Sequence, residues 1–201
     1  MADKVVLQLA DRRIERWVSY RIESDLFEAA DESRLDSLFG PLVHLSEAAE
    51  LGPYGTLTVE GKRRFLREFW RRRDPTPNDA ANHLMAEFYR GVAYVNEAFR
   101  EGGAAQVPGW RTDRGRVYLR NGRWDEILQR PSASPRPYEV WKYTRERNRY
   151  YVFYDQSGFG HYGLLATNDR REQGRPNWLN TLGRENADDV VRFLGISSPE
   201  P

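Results

Sequence analysis

One short run governs what this chain can fold into. Gly109-Trp110-Arg111-Thr112-Asp113-Arg114-Gly115 joins two halves of different periodicity. Upstream, apolar residues recur every three to four positions, as on an amphipathic helix; downstream the period falls towards two and aromatic residues crowd in. Between them stand two glycines, one indole and short polar side chains. Gly109 and Gly115 permit backbone closed to other residues. Thr112 and Asp113 carry acceptors for the N–H groups of a turn. Trp110 offers a large ring to bury and one N–H to donate. With Arg114, these residues read as a structural corner leading into a strand over 115–121.

The upstream half reads as helices. Ile14, Trp17, Val18, Ile22 and Leu26 form a stripe that predicts a helix over 11–30. A short helix around Leu35, Leu38 and Phe39 closes at Gly40-Pro41, and Leu51-Gly52-Pro53-Tyr54-Gly55 is a loop. Thr58 caps a second helix carrying Phe65, Leu66, Phe69 and Trp70, stopped at Asp74-Pro75. Asn78 or Asp79 caps a third, with the stripe Leu84, Phe88, Val92, Val95 and Phe99, ended by Glu101-Gly102-Gly103.

Downstream, Asn121-Gly122 is a hairpin signal, and Trp124 to Gln129 reads as a helical turn. Strands follow over 138–144, 149–155 and 159–167 on short turns, which predicts an antiparallel meander. Residues 168–180 read as irregular, and Glu185 to Leu194 as a closing helix with Gly195 beyond its end. The fold class is therefore α+β: N-terminal helices on a three- to four-stranded antiparallel meander, with a short C-terminal helix. We divide the chain into an N-terminal helical extension (1–57) and an α+β domain (58–201). That domain has helices over 58–100, a sheet over 115–167 and a C-terminal segment over 168–201, all packed as one unit with the third helix covering the sheet.

Composition limits the chemistry. With 31 basic and 30 acidic residues the net charge is +1, which argues against a nucleic-acid partner. The chain has no cysteine, excluding disulfides and thiolate chemistry. Histidines number 3, without metal-binding spacing. We expect no metal and no cofactor. No apolar run approaches the ~20 residues of a membrane helix. The N-terminal residues lack the pattern of a signal peptide, so we expect either a cytoplasmic chain or a numbering that describes a mature or truncated form with an added Met.

Candidate reactive groups have structural readings beside their chemical ones. Gly158-Phe159-Gly160-His161-Tyr162-Gly163 has the letters of a dinucleotide fingerprint. A strand follows it, however, where that mechanism needs a helix N-terminus. His83 and Glu87 are a helical surface pair, and the adjacent Asp125 and Glu126 point in different directions. Arg71, Arg72 and Arg73 read either as an anion or nucleic-acid patch or as favourably placed at a helix C-terminus with a salt bridge to Asp74 or another carboxylate; in the sharper version one of them pairs bidentately with Asp113 and fastens the helical half to the corner.

Two functional readings follow. The first is a non-enzymatic interaction or scaffold module, an accessory component of a membrane-associated complex, with Tyr54, Trp124, Tyr151 and Trp178 as interface aromatics. The second is a small-ligand binder or hydrolase using Asp113, Arg116, Asp155 and His161 in a pocket between the third helix and the sheet. Oligomeric state is not legible.

Several ordered motifs resemble a known family. They are Phe69-Trp70-Arg71-Arg72-Arg73-Asp74-Pro75-Thr76-Pro77, then Gly109-Trp110-Arg111-Thr112-Asp113-Arg114-Gly115-Arg116-Val117-Tyr118, then Asp125-Glu126-Ile127. They continue through Pro137-Tyr138-Glu139-Val140-Trp141-Lys142-Tyr143 and Phe153, Asp155, Gly158, Gly160 and Tyr162. Over roughly residues 35 to 178 the chain resembles the GWxTD-domain proteins of environmental bacteria, whose activity is unknown. Where that family commonly has Gly-Pro-Pro, this chain has Gly122-Arg123-Trp124. No catalytic residues are established for that family, and the resemblance implies an exported, cell-envelope or periplasmic setting. The sheet half is also similar in pattern to the small lipoproteins of the outer-membrane assembly machinery, which implies an envelope scaffold.

Overall fold

The computed structural model describes residues 26–79, 81–102, 106–145 and 148–196, and the backbone of 2–9 and 12–19. The chain divides into two compact units, one of residues 1–40 and 52–83, the other of 41–51 and 84–201. This division falls elsewhere than the 57/58 boundary expected from sequence.

In the first unit, β1 (Ala2–Leu9) pairs antiparallel with β2 (Arg12–Ser19), Leu7 opposite Ile14 and Lys4 opposite Trp17. This corrects the helix expected over 11–30. Short apolar patterns do not separate helix from strand. Here Ile14, Trp17 and Val18 favour strands, and Val5, Val6 and Leu7 supply a partner strand upstream. The expected helical residues 20–25 lie outside the described residues. The helix α1 (Glu32–Phe39) is capped by Asp31, whose carboxylate accepts from the Arg34 N–H at 2.8 Å. In the second unit, α2 (Ala48–Leu51) is a single turn. Back in the first unit, α3 (Val59–Arg72) starts at Thr58 as expected, its hydroxyl accepting from the Gly61 N–H. Leu35, Leu38, Leu66, Phe69 and Trp70 are buried in this unit, and Tyr54 stacks on Phe39 at 3.6 Å between centroids. Lys62 is buried and bridges Glu32 (2.8 Å) and Asp36 (2.7 Å).

The second unit has three layers. Its α4 (His83–Ala98) is the expected third helix. A 3-10 turn over Gly109–Arg111 leads into α5 (Asp113–Asn121), and this overturns the strand expected over 115–121. Thr112 is the reason: its hydroxyl accepts from the Gly115 N–H at 3.0 Å, the geometry of a helix N-cap. Asn121-Gly122, read as a hairpin signal, instead ends this helix, with Gly122 at φ 73°. Residues 124–129, expected as a helical turn, instead lead into the edge strand β3 (Glu126–Arg130), where Ile127 pairs with Trp141.

The sheet therefore starts at Glu126, with antiparallel order β3, β4 (Tyr138–Tyr143), β5 (Arg149–Asp155), β6 (Tyr162–Thr167). The four-stranded meander and the α+β class are as the sequence indicates. Side chains alternate across it. Tyr138, Val140, Val152 and Tyr154 pack with Leu182, Ala187, Val190 and Leu194. These last belong to α6 (Trp178–Leu182), within the segment expected to be irregular, and to the expected closing helix α7 (Arg184–Leu194). On the opposite face, Trp141, Tyr143, Tyr151 and Phe153 pack with Val95 and Phe99 of the α4 region and Val117 of α5. Both faces are covered, which explains why β4 and β5 are aromatic-rich and buried almost throughout.

Candidate functional site

The corner is built by close backbone contact. A Cβ on Gly109 would lie 1.7 Å from the Val95 carbonyl oxygen, and one on Gly115 would lie 1.8 Å from the Gly109 carbonyl oxygen. Only glycine fits at either place. Thr112, buried, donates its hydroxyl to the Gly109 carbonyl at 2.8 Å while capping α5, so one side chain closes both ends of the turn. The Trp110 N–H donates to Asn96 Oδ1 at 3.1 Å, and His44 Nε2 donates to the Trp110 carbonyl at 2.8 Å. Burial lowers the His44 pKa against the opposing effect of that carbonyl, so the ring is held neutral with the proton on Nε2. The Trp110 ring is half-buried at the edge of the α4/α5-facing core, with the Arg111 guanidinium 4.8 Å from its centroid.

Asp113 does not cap the turn. One carboxylate oxygen accepts from the Leu164 N–H of β6 at 2.7 Å, the other from Arg116 Nη1 at 2.6 Å. Arg116 continues to Glu172 at 3.0 Å, which also holds Arg120 at 2.8 Å. Arg114 enters a buried cluster: Nη2 lies 3.3 Å from Glu101 and Nη1 3.6 Å from Glu139, while the guanidinium sits 4.1 Å from the Tyr162 ring centroid. Glu139 also accepts from the Trp141 indole N–H. His161 Nδ1 stands 3.6 Å from the far oxygen of Glu101.

The tip of the β5–β6 hairpin is organised by Asp155, 2% exposed. Its carboxylate accepts from the N–H groups of Gly158 (2.8 Å) and Gly160 (2.7 Å) and from the Ser157 hydroxyl (2.8 Å). Burial pushes this carboxyl up, but those donors, with the His161 N–H, outweigh it and hold it below the ordinary value. Gly158 and Gly160 take φ of 77° and 86°. Between them Phe159 projects with 85% exposure, the highest among the exposed large hydrophobic residues described.

The residues picked for chemistry are thus all structurally engaged. Asp113 and Arg116 belong to the Glu172 network, Asp155 to its own turn, and His161 to Glu101. Neither of the two cavities described is lined by any of the four. Arg71 and Arg72 both reach Glu68 at 2.8 Å, Arg73 stacks on Phe69 at 3.8 Å, and Asp74 accepts from the Thr76 N–H at 3.0 Å. Of the expected interface aromatics, Tyr54 and Tyr151 are buried, because their rings serve the two cores. Trp124 lies 4.4 Å from Trp141, and Trp178 packs on the α6/α7-facing core. Glu101, Glu139, Asn96 and His44 were not picked from sequence. A charged residue on an aromatic strand, such as Glu139, was the available signal, but its partners are distant in the chain. Among the described residues, no group of three His, Asp or Glu could hold a metal, and no helix is long and apolar enough to cross a membrane.

Three helical and sheet layers locked by a glycine-tight, threonine-capped corner define an α+β domain with a structural motif at its joint. The GWxTD domain model matches residues 11–182, and the chain belongs to the GWxTD-domain family. No curated protein and no solved structure matches it.

Proposed function

We propose that the chain is a non-enzymatic interaction module, an accessory component of a protein complex, which engages its partner through the β5–β6 hairpin tip. The observation that carries this reading is Phe159, 85% exposed on a turn fixed by a buried carboxylate. Burying such a ring in a partner pocket contributes about 1.5–3 kcal/mol. Holding it on a pre-ordered turn saves part of the ordering cost of association. Aromatic anchors of this kind dominate interface energetics. Two further observations support a binding role over catalysis. The space between α4 and the sheet, where a pocket was expected, is filled by Val95, Phe99, Trp141 and Phe153, all buried. The ionisable groups of the corner are committed to internal pairs. The envelope or membrane-associated setting rests on the family resemblance, and fractionation of the source cells tests it.

The anchor is tested by photo-cross-linking in the native host. Phe159 is replaced by p-benzoylphenylalanine, with the exposed Arg64 replaced likewise as control. A discrete adduct is expected from position 159 alone, and loss of the same partner from the Phe159→Ala protein on native purification. Equal cross-linking from both positions, with co-purification unchanged in Phe159→Ala, would refute the assignment.

A further inference from the structure

A cavity of about 550 Å³ opens beside the C-terminal end of α5 and the β4–β5 hairpin, lined by Arg120, Asn121, Arg123, Asp125, Tyr143, Arg145, Arg149 and Arg171. Five of these eight are arginines, and Asp125 is the lone carboxylate. We infer that this cavity binds a small, soluble, multiply charged phosphate-bearing anion. The site is separate from the Phe159 tip, and it stands or falls independently of the function proposed above.

The arginines are positioned from behind, with donors left over. Asp169, 6% exposed, holds Arg171 through Nε and Nη2, the latter at 2.7 Å, and lies 4.0 Å from Arg149 Nη1. Asn121 Oδ1 accepts from Arg149 Nη1 (3.0 Å) and Arg171 Nη2 (3.1 Å), tying the two together. Glu172 holds Arg120 through Nη1, and Asp125 pairs with Arg145 through Nε. Among the described residues this leaves Arg171 Nη1, Arg149 Nε and Nη2, Arg120 Nε and Nη2, and both Arg145 terminal nitrogens without a bond. Arg123 makes none with the described residues. A guanidinium carries five N–H donors in a planar fork that matches phosphate oxygens.

Charge counts in the same direction. Among the described residues, against these five guanidiniums stand the carboxylates of Asp125, Asp169 and Glu172, and Glu172 is shared with Arg116. The Asp169 carboxyl is held far below its usual range by Arg171, opposed by its burial and aided by the Tyr151 hydroxyl, so it remains a fixed anion. An unbalanced cationic concavity attracts a counter-ion. The volume suits a small molecule, within the roughly 300–1,000 Å³ typical of ligand sites. Phosphate outranks a single carboxylate because it engages several forks at once.

The experiment uses the whole chain and inorganic triphosphate as probe, followed by calorimetry and by thermal shift. Saturable one-to-one binding with a raised Tm is expected. Arg123→Ala should weaken it about tenfold and the double variant Arg123→Ala/Arg145→Ala about a hundredfold, while Arg64→Ala leaves it unchanged. Arg123 and Arg145 are exposed, so both variants fold. Three results would overturn the assignment: no saturable binding of triphosphate, equal loss in the Arg64→Ala control, or wild-type affinity in the double variant. Arginine-dependent sedimentation with phosphatidic acid vesicles, without binding of free triphosphate, would move the source to a lipid headgroup and overturn the soluble ligand.

Discussion

Replacing Gly109 by alanine should unlock the corner. The new Cβ would stand 1.7 Å from the Val95 carbonyl oxygen, 2.4 Å from its carbon and 2.9 Å from Asn96 Cα. All three are backbone atoms, so no rotamer relieves the clash. Restoring van der Waals separation needs the 3-10 turn to withdraw from α4 by roughly 1.5–2 Å. Overpacking of this kind costs about 1–3 kcal/mol. The same withdrawal breaks the 3.1 Å bond from the Trp110 N–H to Asn96, worth about 1 kcal/mol. The stiffer unfolded chain returns about 0.4–1 kcal/mol. The net loss is about 1–3.5 kcal/mol, a sizeable part of the ~5–15 kcal/mol that holds a domain together. Urea denaturation followed by tryptophan fluorescence measures it. Gly91 is the internal control: it lies within α4, where a Cβ meets only Leu119 and Tyr118 side-chain atoms at 3.4 and 3.9 Å. There alanine should be neutral or stabilise by up to about 1 kcal/mol. Gly115→Ala should resemble Gly109→Ala, and the double variant should cost less than the sum, because both open the same turn. A Gly109→Ala protein within about 0.5 kcal/mol of the parent would refute this account of the corner.

Thr112→Val keeps the shape but removes the cap on Gly115 and the bond to the Gly109 carbonyl. A loss of about 2 kcal/mol is expected, with Thr112→Ser near the parent; equal stability of Val and Ser variants in urea would contradict it. His44, its pKa lowered by burial, protonates in the unfolded chain before the folded one. Its contribution is therefore complete above pH ~6.5 and is lost as pH falls below that value. His44→Gln should flatten the stability profile between pH 7 and 5, and an unchanged slope would exclude this role. Arg114→Met removes the cation that pairs with Glu101 and with buried Glu139, and thermal denaturation should show about 3–5 kcal/mol lost. A near-neutral effect would mean the cluster contributes little. Asp155→Asn replaces an acceptor oxygen that two glycine N–H groups and a hydroxyl share with its twin. Amide exchange at Gly158 and Gly160 should accelerate about tenfold or more, and parental rates would show that the turn holds itself.

Local signals carried much of the fold. Thr58 capping α3, the aromatic strands β4 and β5, and the C-terminal helix were legible because each depends on neighbours in sequence. Misreadings came where one signal serves two structures. Asn121-Gly122 closes a helix as readily as a hairpin, and the Ile14–Val18 pattern suits a strand once Val5–Leu9 stands beside it. Local sequence marked residues 109–115 as a glycine-bearing turn, but Gly109 and Gly115 do not take positive φ; they are required because backbone carbonyls approach them closely. What that joint grips was decided only in three dimensions. Val95 presses on Gly109, Leu164 binds Asp113, and Glu101 with Glu139 clamps Arg114. Backbone preference is written residue by residue, whereas ion pairs and close approaches need partners that only folding brings within a few ångströms.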